Sequence, residues 1–376
     1  MKKIISIFLI ISVIITTISL SGCGSSSDSK KEKKKNDEDK TQEFVDDTTL
    51  ESVTENVTDN VDDEPQDAET VIGEEEYQGQ ESDGIFTYEI YETYVEISRY
   101  MGDSTTVIVP KEYKGLPVKS IAKMLFYNNT RLESVTLPDS LVNIGNGAFS
   151  YCDSLAAITI PDGVATIENA TFAYCKSLES ITIPDSVTSI GNEVFFSCES
   201  LTSITIPASV TSIGTEVFRC CYSLESITVD PASKSFCSVD GVLFSKDKTT
   251  LVQFPAAKAE TSYEIPDSVT TIGSYAFFFC NNLITVTISD SVTDIGKYAF
   301  GYCKKLTSIA IPDGVTTIRE GTFVDDNALQ FVTLPESVTR IDNYAFQSCY
   351  KVVLKVYDGS FAHMYAVNND MGVELI

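Results

Sequence analysis

The sequence contains no tryptophan and a single histidine, His363, and its 27 Lys and Arg are outnumbered by 54 Asp and Glu. Each shortage excludes something. General acid–base and metal chemistry near neutral pH draw heavily on imidazole, so one histidine near the far end leaves most hydrolase and metalloenzyme schemes without their usual groups. A formal charge of -27 repels phosphate backbones, and no nucleic-acid partner is expected. The 10 cysteines include no Cys-x-x-Cys pair, the short spacing that a zinc site needs. There is no Gly-x-Ser-x-Gly nucleophile turn and no glycine-rich phosphate loop following a strand. The composition therefore points away from an enzyme, and neither a cofactor nor a metal is expected.

What is present begins with an address. Lys2 and Lys3 precede a mostly apolar run from Ile4 to Leu20, the charged-then-greasy layout of a secretory signal. The run is short for a spanning helix and carries several Ser and Thr. Leu20-Ser21-Gly22-Cys23 resembles the lipobox of bacterial lipoproteins. That resemblance implies cleavage before Cys23 and a diacylglycerol thioether on it, so that the chain is exported and held on the outer side of a bacterial membrane. Two or more acyl chains give firm attachment where one is marginal.

From Gly24 to about Gly84 the composition changes, with 21 Asp and Glu against 6 Lys and few apolar residues. Such a segment cannot bury enough surface to offset the entropy of ordering, so it is expected to be a disordered tether. As a random coil it would span roughly 40 Å, and self-repulsion lengthens that.

Beyond the tether a 23-residue period appears when Leu132, Leu155, Leu178, Leu201 and Leu224, then Leu283, Leu306 and Leu329, are aligned. In the unit opening at Leu178, apolar residues recur at Ile181, Ile183, Val187, Ile190, Val194 and Phe195, and the unit closes at Cys198. A period of this length means stacked supersecondary units, none of which can bury its apolar face alone. The Leu-x-x-Ile-x-Ile portion alternates as a short strand does, Pro-Asp-Ser or Pro-Asp-Gly turns the chain, and a second short extended piece follows. The Ala-Phe pair is expected on a helical or 3₁₀ turn. Stacking places one strand per coil about 4.8 Å from the next, giving a parallel sheet along a repeat solenoid about 45–50 Å long.

The wording Ile-Pro-Asp-Ser-Val-Thr-x-Ile-Gly…Ala-Phe…Cys resembles the BspA-type leucine-rich repeat over about residues 85 to 376. The resemblance implies a right-handed, leucine-rich-type coil stack capped at both ends. It also implies a cell-surface protein engaged in adhesion to host matrix proteins or to other cells. Val239–Phe254, with Asp240-Gly241-Val242-Leu243-Phe244, resembles a longer unit of that family and is expected as a hairpin turning at Lys246-Asp247-Lys248. Some units depart from the pattern. Glu168, Arg319 and Asp342 replace the Gly after the second Ile, so a left-handed backbone is not compulsory there. Asp326 replaces the Cys, and Ser289 the Pro. The chain is thus expected to comprise a signal peptide (1–22), Cys23 with an acidic tether (23–84), and an N-terminal cap and first coil (85–131). The repeats (132–351) follow, with a longer unit at about 230–262, and then a C-terminal cap (352–376).

Columns at fixed register carry the candidate sites. Cys152, Cys175, Cys198 and Cys221, with Cys280, Cys303 and Cys349, are expected as buried thiols. Equal positions on stacked coils hold their β-carbons near 5 Å apart, where a disulfide needs about 3.8 Å. Cys220 and Cys237 lie off this column. Asp139, Asp162, Asp185, Asp267, Asp290, Asp313 and Glu336 read as turn residues without the spacing of a calcium loop. Thr159, Thr182, Thr205, Thr228, Thr287 and Thr333, beside Ser134, Ser180, Ser203, Ser226 and Ser308, face away from the core. They read either as ordinary exposed sheet or as a hydroxyl-lined surface for a protein or glycan. Tyr151, Tyr174, Phe279 and Tyr302, each before the Cys of its coil, read either as an exposed stacking stripe or as packing of the last turn. The leading expectation is a lipid-anchored binding protein with an extracellular protein or glycan ligand. The alternative is an envelope-assembly module that pairs with proteins of the same cell.

Overall fold

Each 23-residue unit closes into one coil of chain, and eight inward positions explain why. In the Leu178 coil, Leu178, Ile181, Ile183, Val187, Ile190, Val194, Phe195 and Cys198 are all buried. The computed structural model describes residues 75–376. The expected signal peptide, Cys23 and nearly all of the tether lie outside the described residues. Each coil contributes a first strand, such as Ser180–Thr182, and after the Pro-Asp turn a second, such as Ser189–Ile190. Both pair in parallel with the same positions of neighbouring coils: Ile181 lies opposite Ile158, and Ile190 lies between Ile167 and Ile213. The alternation of exposed Ser and Thr around a buried Ile follows from the two-residue period of a strand.

The phenylalanines form a ladder through the core. Ring centroids from Phe126 through Phe149, Phe172 and Phe195 to Phe218 step by 5.3, 5.6, 5.9 and 5.9 Å, with neighbouring planes within 12° of parallel. A second ladder runs from Phe254 through Phe277, Phe300 and Phe323 to Phe346. Beside each ladder runs the thiol column, and each Sγ donates to the carbonyl of the phenylalanine 26 residues earlier, as Cys198 does to Phe172 at 3.2 Å.

The segment carrying Ala-Phe takes hydrogen-bonded reverse turns. Ala148 donates to Gly145, Ser150 to Gly147, and Cys152 to Phe149, the i-to-i+3 bonding of a 3₁₀ turn. No helix propagates, because positive φ recurs every fourth residue, at Gly147 (φ 60) and Tyr151 (φ 61). The amides between these local bonds reach the next coil: Gly147 to Asn169, Phe149 to Thr171, Tyr151 to Ala173. Non-glycine residues such as Tyr174, Glu193 and Tyr298 thus adopt a conformation costing about 1–3 kcal/mol, which the cross-coil bonds offset. The glycine after the second Ile has another reason. Its φ is not positive; a β-carbon at Gly145 or Gly296 would run into the backbone of the preceding coil at Lys123 or Ser274. Glu168 and Arg319, which stand at this register, are each accompanied by a threonine three residues on. The hydroxyls of Thr171 and Thr322 donate to their carbonyls at 2.6 and 2.8 Å.

The ends differ from expectation in detail. Strand Gly79–Ser82 pairs antiparallel with Phe86–Ile90, so order begins inside the stretch assigned to the tether. Phe86–Ile90 turns back onto Val95–Tyr100, and Val95 and Ile97 pair in parallel with Val118 and Ile121 to start the stack. At the far end, helix α1 (Phe361–Asn368) docks through buried Ala362 and Ala366 and half-buried Tyr365, which lies against Phe346, while Phe361 is exposed. Gly372–Leu375 adds the last strand, beside Val353–Val356. Among the described residues no helix is long and apolar enough to cross a membrane. The longer unit is a three-stranded meander, Phe236–Val239, Val242–Ser245 and Thr250–Gln253. It turns at Asp240-Gly241, both at positive φ, as well as at the expected Lys246–Lys248.

Candidate interaction surface

The first strands place two rows of hydroxyls side by side. Thr159 lies directly opposite Thr182, and Ser203 and Thr205 lie opposite Ser226 and Thr228, with spacing fixed by the ladder. Thr159, Thr182, Thr205, Thr228 and Thr287 are exposed, and Thr333 is half-buried. Thr136, on strand Ser134–Thr136, extends the row by one coil. After Thr228 the row is interrupted: Glu264 holds the threonine register in the next first strand, and Ala310 holds it two coils further on.

Carboxylates border these hydroxyls on both sides. Glu133, Glu179 and Glu225 precede the serine register, and Asp139, Asp162, Asp185, Asp267, Asp290, Asp313 and Glu336 follow at the Pro turn, all exposed. Ser289 donates to Asp267 at 2.9 Å, one of the few bonds these turn acids make to a neighbouring coil. The surface is flat, hydroxyl-rich in the middle and negative at its margins. Each hydroxyl offers one donor and two acceptor sites, so the rows can answer either a sugar or a peptide edge.

The aromatic stripe belongs mostly to packing. Tyr151 and Tyr174 stack at 4.1 Å, and Phe279 and Tyr302 at 4.6 Å. Phe279 is only 8% exposed, covered by Tyr222, Phe278 and Tyr302, and so presents little surface to a partner. Burial pushes the phenols of Tyr151 and Tyr174 upward, which keeps them neutral. Tyr151, Tyr174 and Tyr302 remain half-buried and keep an accessible edge. A feature that the sequence did not announce lies among them. The Arg219 guanidinium sits 4.8–5.1 Å from the rings of Phe196, Tyr275 and Phe278 and pairs with Glu216 at 2.7 Å. Nothing in its repeat position, elsewhere Ala173, Gly301 or Val324, marks it in advance.

The nucleophile candidates are sequestered. Burial pushes the Cys152, Cys221 and Cys349 thiols up to about 12 and those of Cys175, Cys198, Cys280 and Cys303 further. No disulfide joins the described cysteines; Cys220 is buried off the column, and Cys237 lies on the meander. His363 accepts the Gly359 amide on Nδ1 at 3.1 Å, and its own amide bonds the Ser360 hydroxyl, so it closes the start of α1.

The family described as BspA-type leucine-rich repeat matches residues 119–249 and 254–362, in six copies. A leucine-rich cell surface protein from Faecalibacterium prausnitzii is 28% identical over 79% of this chain and 99% of that one, with a TM-score of 0.59. Two further solved structures share the fold at 22% identity. The pneumococcal vaccine antigen PcpA matches over 74% of this chain and 81% of its own, with a TM-score of 0.65. A leucine-rich repeat protein from Eubacterium ventriosum matches over 72% and 82%, with a TM-score of 0.51. No curated protein matches the chain.

Proposed function

This chain belongs to the BspA-type leucine-rich repeat family of bacterial surface repeat proteins, generally non-enzymatic, and from that premise we propose that its hydroxyl face binds an extracellular protein or glycan in adhesion. The observation that carries the reading is the exposed threonine row from Thr136 to Thr228, flanked by Ser134, Ser180, Ser203 and half-buried Ser226 and bordered by carboxylates. Those margins attract a partner with Lys or Arg around its contact, which speeds encounter and makes it sensitive to salt. Tyr151, Tyr174 and Tyr302 offer ring edges on the closing-turn face for a second contact.

A glycan and matrix-protein array probed with residues 75–376 tests the proposal. Changing Thr182 and Thr205 together to Lys leaves stability within about 0.5 kcal/mol per site, because both are surface positions. It is expected to weaken capture about tenfold or more. Capture unchanged in the double variant would move the binding face elsewhere. Retrieval of envelope proteins alone from intact cells would favour the assembly module instead.

Attachment to the membrane through acylated Cys23 is part of the same proposal. The change Cys23→Ala is expected to leave the chain uncleaved or release it to the medium, as read by fractionation and the size of the product. Cleaved protein still retained in the membrane would refute lipidation.

A further inference from the structure

Among the described residues the closing-turn bonds and the ring ladder stop once, at the longer unit, and only there are both rows of strand pairs broken together. In the closing turns, cross-coil bonds run unbroken from Met124, Phe126 and Asn128 to Ser197, which donates to Arg219, and resume where Phe254 donates to Ala276. Between them the amides of Glu216 and Phe218 reach no backbone carbonyl. Strand Ser212–Ile213 pairs with Ser189–Ile190 on one side only, and Ser226–Val229 does not pair with Ser262–Glu264. The phenylalanine ladder ends at Phe218 and begins again at Phe254. A cleft of about 180 Å³ opens at the gap, lined by Ile213, Val217, Phe218, Thr250, Val252 and Ser274.

Two devices hold the gap shut. Val242–Ser245 is an interleaf buried on both faces: Leu243 enters the core of the preceding coils, while Val242 and Phe244 enter the core of the following ones. On the closing-turn side, Arg219 is anchored by Glu216 and touches Phe196 of the first half and Tyr275 and Phe278 of the second. Tyr222 against Phe279, at 4.8 Å, supports the same crossing. In a repeat stack, cooperativity passes only through neighbour contacts, so the interface lacking strand pairs and the ring ladder is the weakest link.

We propose that the longer unit is a joint: two half-stacks, each cooperative, that part at the cleft when the Arg219 clasp releases, without unfolding of either half. The break coincides with the break in the hydroxyl rows between Thr228 and Thr287, so the joint sets how the two panels of the face present themselves to a partner.

Hydrogen exchange on the full chain tests this, using amides whose bonds span the seam: Ile227 to the Gly241 carbonyl at 2.9 Å and Ala257 to that of Leu224 at 2.8 Å. The change Arg219→Met keeps a flexible apolar stem among the rings and removes the charge. It is expected to speed exchange at Ile227 and Ala257 about tenfold or more, leaving Phe172 and Phe300 at wild-type rates. The control Phe172→Leu, a cavity inside paired coils, is expected to speed exchange around Tyr151 and Phe172 without favouring the seam. Equal acceleration of seam and interior amides in Arg219→Met would overturn the joint. So would unchanged seam exchange, or a seam that Phe172→Leu opens as far.

Discussion

Phe195→Ala is expected to lower stability by about 3–5 kcal/mol, the ordinary cost of emptying a fully buried phenylalanine site. The ring has 0% exposure and lies 5.9 Å from both Phe172 and Phe218, so its removal leaves two facing rings without a partner. Collapse into the gap is opposed by the neighbouring backbone. The Phe195 carbonyl takes both the Cys221 thiol and the Cys198 amide at 3.1 Å, which hold the coil at its spacing. Urea denaturation, comparing midpoints at constant slope, reads the loss. A neutral outcome would contradict the register of the whole stack.

Asp326→Cys is expected to raise stability at pH 7 by about 1–3 kcal/mol, the usual desolvation penalty of an unsatisfied buried polar group. Asp326 is fully buried where the other coils carry the column cysteine. Its Oδ1 accepts the Cys303 amide at 2.6 Å, and its Oδ2 has no partner. Burial, reinforced by Asp325, pushes its carboxyl well above the usual carboxylate range. A raised folded-state pKa means that the folded chain keeps a proton that the unfolded chain has lost. The native protein therefore loses stability as pH rises from about 4, the unfolded value, up to the folded pKa. The cysteine variant lacks that loss, so its advantage is small near pH 4, grows with pH, and then levels off. Melting temperatures of both chains between pH 4 and 8 read the difference; an advantage that shrinks as pH rises would refute the assignment.

The fold was legible because its signal repeats. Leu178, Ile181, Val187 and Phe195 recur at one spacing in unit after unit, and a period of 23 with a strand-like half admits few architectures. The outward threonines followed from the same alternation, since Ile158 and Ile181 must point in. The closing turns were legible as turns but not in their backbone pattern, because positive φ falls on Tyr, Glu, Ser and Cys as readily as on Gly. The bonds that sustain it come from the next coil and leave no local composition cue. The conserved-looking glycine pointed to a left-handed turn but serves close approach, which only the packed neighbour reveals. The joint escaped for a related reason. Val242-Leu243-Phe244 is an apolar run without alternation, and nothing in it tells that alternate side chains enter different cores.

The backbone bonds that join one Ala-Phe segment to the next run in one direction, from the amide of the earlier coil to the carbonyl of the later. Strand ladders alternate and nearly cancel, but peptides aligned head to tail add, as they do along an α-helix. This rim therefore carries an electrical polarity, with its positive pole toward the higher-numbered end of each half. In the first half that pole falls at the Glu216 and Phe218 amides, where the Glu216 carboxylate already sits.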